Sequence, residues 1–410
     1  MGHVDRHPWE PRYATRALRM QASEIRELLK LIEEPDVISF AGGIPDPTLF
    51  PIETVREAYR TALDDDAGAG RLLQYSVSEG DPALRDWIAR HMAAKGIACD
   101  ADNILVTSGS QQGLEFLGKL FLSPGDTALA MAPTYLGALQ AFAANEPVYD
   151  ELGLGPTNRT LDSYRDAAAA TDGQVKFAYV VPDFANPTGI TLDLPARLQL
   201  LATARDLEIP VIEDAAYTEL RFEGEAAPPV QAMDVAARGT INQSRVIYCG
   251  TFSKVFMPGL RIGWICASHE IVQRLVLIKQ ASDLNSSALN QSVARHLAET
   301  CFDAQVARGR ASYRVKRDRM LDALANHMPE SVSWTVPQGG LFIWMTLPDH
   351  LDATDLLARA VAEARVAFVP GQAFFANGAG RNTLRLSYSL PDLERIDDGI
   401  ARLARVMQAL

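Results

Sequence analysis

The middle of the chain, from about residue 103 to residue 268, alternates short apolar runs with segments of helical pattern. Short, nearly continuous apolar runs are typical of strands that are buried on both faces. The runs that favour strands are residues 103–108, 127–131, 175–181, 209–214, 245–248 and 262–266. Such strands, interleaved with helices, predict an α/β fold with a largely parallel sheet between layers of helices. Ligands of a sheet of this kind bind near the carboxyl ends of its strands.

The pattern changes beyond about residue 295. A long basic segment of helical pattern, residues 308–327, leads into two β-type runs at 342–345 and 383–388. These runs and the helices around them favour a second, smaller α+β domain. The sequence therefore predicts a large domain over residues 55–295 and a small domain over residues 296–410.

Composition and charge narrow the class of protein. The chain has 410 residues, which is long for a single hydrophobic core and agrees with two domains. Its formal net charge of −12 argues against nucleic acid or an anionic membrane surface as a partner. The N-terminus lacks the apolar stretch of a signal peptide, and no run is long enough to span a membrane. The cysteines have no metal-type spacing and are expected to be reduced thiols: Cys99, Cys249, Cys266 and Cys301. These features predict a cytoplasmic protein without a metal site.

Lys254 stands in the segment with the most distinctive chemistry, residues 251–264 (TFSKVFMPGLRIGW), directly after a β-type run. The hydroxyls of Thr251 and Ser253 flank it, and Arg261 follows seven residues later. A lysine amine can condense with an aldehyde, whereas hydroxyls and a guanidinium are suited to a phosphate. An aldehyde that carries a phosphate describes pyridoxal 5′-phosphate (PLP), so the segment predicts a PLP site. A surface lysine in a hydroxyl-rich loop is the alternative that any single Ser-Lys pair would favour.

Three further polar motifs follow predicted strands. Ser110 begins a helix in SGSQQGL (108–114), where free backbone amides and a hydroxyl suit a phosphate, although a helix cap explains Ser110 equally well. Asp214 ends a strand in IEDAAY (212–217), and a carboxylate there can keep a pyridine nitrogen protonated. The alternative for IEDAAY is an acidic strand end beside a core tyrosine, and NPTG (186–189) is in isolation an ordinary turn.

Together and in this order, these motifs closely resemble those of the fold-type I PLP-dependent aminotransferases of class I and II. The resemblance implies the corresponding PLP-dependent transferase fold, in which residues 1–54 pack with the small domain. It implies that Lys254 binds PLP and that Asp214 pairs with the pyridine nitrogen. The remaining residues that it assigns to the cofactor hydrogen-bond the phenolic oxygen (Asn186 and Tyr217), form a phosphate cup (Ser110, Gln111, Thr251, Ser253 and Arg261) or stack on the ring (Tyr135).

The resemblance also implies residues that meet the substrate and a second chain. Arg385, in the alternating run LRLSY (384–388), matches the arginine that binds the substrate α-carboxylate as a bidentate fork, with Asn186 beside it. A solvent-facing ion pair is the alternative for an arginine on such a strand. Tyr75, in QYSVSEG (74–80), matches a tyrosine that reaches across a homodimer interface to the phosphate of the partner's cofactor. The resemblance therefore implies active sites shared between two chains.

Segments near both ends narrow the resemblance to a subfamily. Residues 25–30, 38–45 and 374–378 look most like those of the 2-aminoadipate aminotransferases of lysine biosynthesis and the kynurenine/α-aminoadipate aminotransferases. In these enzymes a mobile N-terminal helix covers the substrate. Arg26 matches an arginine that meets a second carboxylate, and Gly43 matches a glycine whose backbone approaches the substrate. The alternative for Arg26 is a solvated position on an amphipathic helix.

We therefore expect a homodimeric PLP-dependent aminotransferase that works by ping-pong half-reactions. The expected amino donor is 2-aminoadipate or a broad set of aromatic and aliphatic amino acids, and the expected acceptor is 2-oxoglutarate. A PLP-dependent lyase or decarboxylase would use nearly the same residues and is the alternative. A transcriptional regulator with an aminotransferase-like domain is not expected, because only some twenty residues precede the resembling region and they have no helix-turn-helix pattern.

Overall fold

The computed structural model describes residues 9–19 and 36–409. Its strands are β1 (Ile38–Ser39), β2 (Ile104–Thr107), β3 (Thr127–Ala130), β4 (Val148–Glu151), β5 (Val175–Val180), β6 (Val211–Asp214), β7 (Val246–Thr251), β8 (Gly263–Cys266), β9 (Ser333–Trp334), β10 (Phe342–Thr346), β11 (Val366–Ala367), β12 (Val369–Pro370) and β13 (Thr383–Ser387). Its α-helices are α1 (Thr15–Arg19), α2 (Ile52–Leu63), α3 (Asp66–Leu72), α4 (Pro82–Ala94), α5 (Ser110–Phe121), α6 (Leu136–Ala143), α7 (Leu161–Ala169), α8 (Leu194–Leu207), α9 (Val230–Arg238), α10 (His269–Gln280), α11 (Ala288–His327), α12 (Ala353–Arg359) and α13 (Leu393–Gln408).

A seven-stranded sheet forms the centre of the molecule, in the order β2-β8-β7-β6-β5-β3-β4. Its neighbouring strands are parallel, except that β8 runs antiparallel to both β2 and β7. The largely parallel sheet predicted from the sequence is thereby confirmed. The edge strand β4 was not predicted, because its side chains are only partly buried and its sequence, VYDE, is not an apolar run.

Both faces of this sheet are buried, which explains why its strands are apolar nearly throughout. Successive side chains of β5 point into two different hydrophobic clusters. Phe177 and Tyr179 belong to one cluster, and Ala178 and Val180 belong to the other. Every residue of β7 is buried as well.

Several helices begin at aspartates that satisfy free backbone amides. The Asp193 carboxylate accepts a hydrogen bond from the Ala196 N–H, 2.9 Å away, at the start of α8. Asp392 does the same for Arg395 at the start of α13, over 2.8 Å. Such caps fix where each helix begins. The site described below depends on one further helix start, that of α5.

A smaller antiparallel sheet, in the order β12-β13-β10-β9, lies in the C-terminal part of the chain. The N-terminal segment joins this region through the parallel pairing of β1 with β11. Two further hydrogen bonds extend that contact, from the Ser387 N–H to the Phe40 carbonyl and from the Ser389 hydroxyl to the Ile44 carbonyl. These contacts support the proposal that the segment 1–54 packs with the small domain.

Helix α11 connects the two regions and has 40 residues. The sequence predicted only its C-terminal half, residues 308–327. The proposed division between residues 55–295 and 296–410 therefore places its boundary inside this helix. Within the described ranges, no helix is long and apolar enough to cross a membrane. The same ranges contain no group of three or more His, Cys, Asp or Glu side chains placed to hold a metal ion.

Candidate active site

A cavity of about 140 Å³ lies at the carboxyl ends of the central strands. Its lining residues are Ser110, Gln111, Tyr135, Val181, Asn186, Asp214, Ala216, Tyr217, Thr251, Ser253, Lys254, Pro258 and Arg261. All of the predicted cofactor residues except Tyr75 are therefore brought together in one cavity. The parallel sheet explains this convergence, because loops that follow its parallel strands open at the same edge.

Lys254 follows β7, and its partly buried side chain lines this cavity. Its Nζ donates a hydrogen bond to the Gly43 carbonyl at 2.9 Å and lies 5.8 Å from the centre of the Tyr217 ring. Burial lowers the pKa of the Lys254 amine to about 8, and the positive charges of Arg385 and Arg261 act in the same direction. A substantial fraction of the amine is therefore neutral, and so nucleophilic, near pH 8.

Asp214 ends the neighbouring strand β6 and directs its carboxylate into the same cavity. The Tyr179 hydroxyl donates to Oδ2 at 2.8 Å. The other oxygen, Oδ1, is buried and has no hydrogen-bond partner among the residues that the structure describes. Burial raises the Asp214 pKa to about 6, against the opposing effects of the Tyr179 hydroxyl, the Ala216 N–H and Lys254. An unpartnered buried acceptor of this kind fits a protonated ring nitrogen, which is the group that PLP would present.

The adjacent acid, Glu213, points to the opposite side of the strand. Its two carboxylate oxygens accept hydrogen bonds from the backbone N–H groups of Val230 and Gln231, at 2.9 and 2.8 Å. Burial raises its pKa to about 7. Glu213 therefore anchors the first turn of α9 and takes no part in the cavity.

The other end of the cavity is built to receive a phosphate. Gly109 has a φ of +84° and turns the chain from β2 into α5, whose first residues, Ser110 and Gln111, line the cavity. The free amides of a helix start and the Ser110 hydroxyl are groups that suit a phosphate. The Arg261 Nη2 donates to the Ser108 carbonyl at 3.0 Å. Its guanidinium lies where a side chain at position 109 would stand, so only glycine leaves room for it. Thr251 and Ser253 add hydroxyl groups, whose oxygens are 2.9 Å apart.

Tyr135 and Gln111 close one wall of the cavity. The Gln111 Nε2 donates to the Gly137 carbonyl at 2.6 Å, and the Tyr135 hydroxyl donates to Gln111 Oε1 at 3.4 Å. Burial raises the Tyr135 pKa to about 12, and the Asp214 charge acts in the same direction. Tyr135 is therefore a neutral phenol whose aromatic ring borders the cavity.

Arg385, on β13 of the smaller sheet, reaches the cavity through Asn186. Its Nη1 donates to Asn186 Oδ1 at 2.7 Å, and its Nη2 donates to the Ala41 carbonyl at 2.5 Å. Burial lowers the Arg385 pKa to about 10, so the guanidinium remains a cation at neutral pH. The solvent-facing ion pair considered from the sequence is excluded, because Arg385 is buried.

Two phenylalanines that the sequence analysis missed hold this arginine. The Arg385 guanidinium lies 4.3 Å from the centre of the Phe342 ring and 4.9 Å from that of Phe374. Phe342 also packs against the backbone of Gly43, where a Cβ would overlap the ring. Phe342 is distant in sequence from both Gly43 and Arg385. Phe374 is only eleven residues before Arg385, in the segment 374–378 noted above, but the sequence pattern does not show that the two side chains meet.

The two remaining predicted residues are not placed in the cavity of this chain. Arg26 lies outside the described residues. Tyr75 is 79% exposed, and two other apolar side chains beside it, Leu73 and Val77, are also largely exposed. An exposed apolar group of this kind is suited to contact with another chain.

Known proteins resemble this chain over nearly its whole length. Residues 35–403 match the family model described as aminotransferase class I and II. A 2-aminoadipate transaminase of Thermus thermophilus is 42% identical over 402 residues, which cover 98% of both chains. An aromatic-amino-acid aminotransferase of Thermococcus litoralis is 40% identical over 98% of this chain and 95% of its own length.

A solved structure shows the same similarity in three dimensions. The α-aminoadipate aminotransferase of Thermus thermophilus, complexed with N-(5′-phosphopyridoxyl)-L-leucine, superposes with a TM-score of 0.87 at 40% identity. The match covers 98% of this chain and 99% of that one.

Proposed function

Because this chain belongs to the class I and II aminotransferases, which depend on PLP, we propose that it transfers the amino group of an α-amino acid to 2-oxoglutarate. The family, the fold, the PLP cofactor and an aminotransferase activity agree with the sequence prediction and are confirmed. The proposed donors are 2-aminoadipate or aromatic and aliphatic amino acids. The names of two relatives support 2-aminoadipate and aromatic donors. The observation that carries the proposal is the placement of Lys254, Asp214 Oδ1 and the Arg385–Asn186 pair around one cavity.

When bound, PLP supplies an aldehyde and an electron-withdrawing ring that weakens the bonds at the Cα of an amino acid. The chain's own residues would hold it in the roles proposed from the sequence. Asp214 Oδ1 would accept from the ring nitrogen, and Asn186 and Tyr217 would contact the phenolic oxygen. The ring would lie against Tyr135. The phosphate would be held by the first amides of α5 with the neighbouring cup residues, Ser110, Gln111, Thr251, Ser253 and Arg261.

Lys254 is also the proposed acid and base of the reaction. Its Nζ would take the proton from the substrate Cα and later return a proton, a role that suits an amine with a pKa of about 8. The cavity wall that partly buries the amine is the main cause of this lowered pKa. Nζ lies over the Tyr217 ring, 5.8 Å from its centre.

Arg385 is the proposed site of the substrate α-carboxylate. A guanidinium presents two parallel donors to a carboxylate, and the stacking of Phe342 and Phe374 fixes its plane. The amino acid and the oxo acid both carry an α-carboxylate, so both would use Arg385. This supports the proposal that they bind one after the other, in a ping-pong mechanism. Arg26 is proposed for a second carboxylate, and Gly43 for the backbone wall opposite the substrate.

We further propose a homodimer in which Tyr75 completes the partner's site. The support is the exposed apolar group of Leu73, Tyr75 and Val77. Tyr75 is not among the residues that line the active-site cavity of its own chain. A cytoplasmic location is proposed because all four cysteines are free thiols in the structure. Cell fractionation with an antibody against the protein tests that location, and recovery in an oxidising compartment would contradict it.

The experiment that tests the function is an assay of purified enzyme with single amino donors and 2-oxoglutarate. We expect one molecule of glutamate for each oxo acid formed from 2-aminoadipate or an aromatic donor, with parallel double-reciprocal plots. Lys254→Ala protein serves as the control and should form neither product. Release of carbon dioxide or ammonia without glutamate would instead indicate the decarboxylase or lyase alternative. Intersecting plots would contradict the ping-pong order.

A further inference from the structure

A buried ionic cluster joins the loop before Asn186 to the turn after Tyr217. It has no role in the function proposed above. Its centre is the carboxylate of Asp183, which is 4% exposed and stands three residues before Asn186. Two arginines, Arg197 and Arg221, donate to the same oxygen, Oδ1, at 2.7 and 3.1 Å. The Thr218 hydroxyl donates to Oδ2 at 3.4 Å.

Arg197 links Asp183 to the start of α8. Its side chain is fully buried, and it comes from the first turn of α8. Its Nε donates to the Leu192 carbonyl at 2.9 Å, and its Nη1 donates to the Pro228 carbonyl at 2.9 Å. Its Nη2 donates to the Pro182 carbonyl at 3.3 Å as well as to Asp183. The guanidinium is held at every nitrogen, so it acts as a fixed anchor rather than a mobile charge.

Arg221 and Thr218 connect the same carboxylate to a different loop. Both follow Tyr217, in the turn after β6. The Arg221 guanidinium also lies 4.7 Å from the centre of the Phe184 ring. Phe184 has a φ of +50°, a left-handed conformation that a phenylalanine adopts only when its surroundings hold it there. One carboxylate therefore holds both the loop that carries Asn186 and the turn that carries Tyr217.

We propose that Asp183 is a positioning residue that sets Asn186 and Tyr217 at the separation needed to contact the same oxygen of the cofactor. The proposal rests on the function proposed above, which assigns Asn186 and Tyr217 to that oxygen. Its effect extends to the substrate, because Asn186 Oδ1 also accepts from Arg385. The negative charge is essential to this role. A neutral side chain at position 183 would leave the guanidiniums of Arg197 and Arg221 facing each other without a counterion.

The test compares Asp183→Asn with a matched variant, Asp234→Asn, in the PLP-loaded enzyme. Asp234 is also a buried carboxylate, and it accepts from Arg238 Nε, the Ser244 hydroxyl and the Arg245 N–H at 2.9, 2.8 and 2.8 Å. None of these residues lines the active-site cavity. Each substitution removes one buried carboxylate that accepts from arginine and from a hydroxyl, but Asp183 has two arginine partners and Asp234 has one. Asp234→Asn therefore reports the effect of losing a buried carboxylate away from the cavity.

Two readouts separate positioning from stability. The first is the pH midpoint of the absorbance change of the bound cofactor. Asp183→Asn should raise it by roughly 0.5–1 unit, because a weakened hydrogen bond stabilises the phenolate less. The second is kcat/KM for the amino donor, which should fall on the order of tenfold to a hundredfold through misplacement of the reacting groups. Asp234→Asn should leave both values within about twofold of wild type, or 0.3 pH unit.

If Asp183→Asn does not fold, Arg221→Gln replaces it. This variant keeps the pair between Asp183 and Arg197 and changes a side chain that is 12% exposed. It should shift the same midpoint in the same direction by a smaller amount. Unchanged values in a folded variant, or equal changes in Asp234→Asn, would overturn the proposal. Failure of the proposed function would appear differently, as a wild-type protein without a titrating cofactor band or without transamination.

Discussion

The fold places ionisable side chains of the candidate site where burial disfavours their charged forms. Asp214 is the clearest case, because burial raises its pKa to about 6 while Oδ1 has no partner in the described part of the chain. In the protein without cofactor, the folded state binds more protons at this group than the unfolded state between about pH 4 and 6. Stability therefore falls as the pH rises through that window, and the penalty stays in full above it. A positively charged ring nitrogen would relieve this penalty. Asp214 therefore lowers the stability of the cofactor-free protein but provides an acceptor for the cofactor.

Asp214→Asn should therefore have opposite effects on stability and on catalysis. Above pH 6 the cofactor-free variant should be more stable than wild type by about 1–3 kcal/mol, because the unpaired buried charge is gone. The gain should shrink toward pH 4, where the wild-type carboxyl is itself neutral. The PLP-loaded variant should lose at least about a hundredfold in kcat, because a neutral amide does not keep the ring nitrogen protonated. Urea unfolding at pH 4.5 and pH 8 and steady-state kinetics measure the two effects. Wild-type turnover in a fully loaded variant would refute the role of Asp214.

At the scale of elements, the turn between β2 and α5 forms part of the proposed phosphate cup. Gly109 supplies two properties at once, a left-handed φ and space for the Arg261 guanidinium. Gly239, after α9, has a similar φ of +85° but no neighbour within 4 Å of an added Cβ. Gly239 therefore tests a positive φ without a loss of room, although its ψ is −18° and that of Gly109 is 162°.

Gly109→Ala should weaken PLP binding, and Gly239→Ala should not. Gly109→Ala should lose about 1–3 kcal/mol of stability, because a φ of +84° with a ψ of 162° is a conformation that is almost confined to glycine. Gly239→Ala should lose about 1 kcal/mol, because its ψ of −18° places it in the ordinary left-handed region. Only Gly109→Ala displaces Arg261 from the phosphate cup, and its Kd for PLP should rise about tenfold or more through the loss of a charge-assisted hydrogen bond. Thermal unfolding and equilibrium titration of the cofactor-free proteins measure these quantities. Equal PLP affinity in the two variants would contradict the phosphate cup.

The elements that the sequence predicted are those whose physical signal is local. The strands buried on both faces are apolar throughout, and each polar motif directly follows such a strand, so Ser110, Asp214 and Lys254 could be assigned to one sheet edge. The edge strand β4 and the reversed direction of β8 left no such signal. The contacts of Phe342, Phe374 and Asp183 were missed because each joins separate elements of the fold, although Phe374 is only eleven residues from Arg385 and Asp183 only fourteen from Arg197. Only the folded structure brings those partners together.

At the scale of the whole molecule, the proposed homodimer would supply a residue from a second chain to each active site. Tyr75 is exposed in the single chain, whereas the cavity contains the other predicted cofactor residues. A closed dimer of twofold symmetry would place the exposed group around Tyr75 of each chain near the site of the other. Each active site would then contain Lys254 from one chain and Tyr75 from its partner.

Mixing two inactive variants tests this shared site. Tyr75→Ala and Lys254→Ala, each severely impaired alone, should regain about a quarter of wild-type activity after unfolding and joint refolding. Random pairing makes half of the dimers mixed, and each mixed dimer has one intact site of two. Joint refolding of Tyr75→Ala with itself is the control and should restore nothing. Absence of recovery in mixed dimers, verified by differently tagged chains, would rule out the shared site.

The central claim, that Lys254 binds PLP in this cavity, has one direct test. Borohydride reduction of the loaded enzyme makes the bond between the amine and the cofactor permanent, and peptide mapping then locates it. We expect a single labelled peptide that contains Lys254, and no label in Lys254→Ala protein treated in the same way. A label on any other lysine, or a wild-type enzyme that transaminates without a label on Lys254, would contradict it.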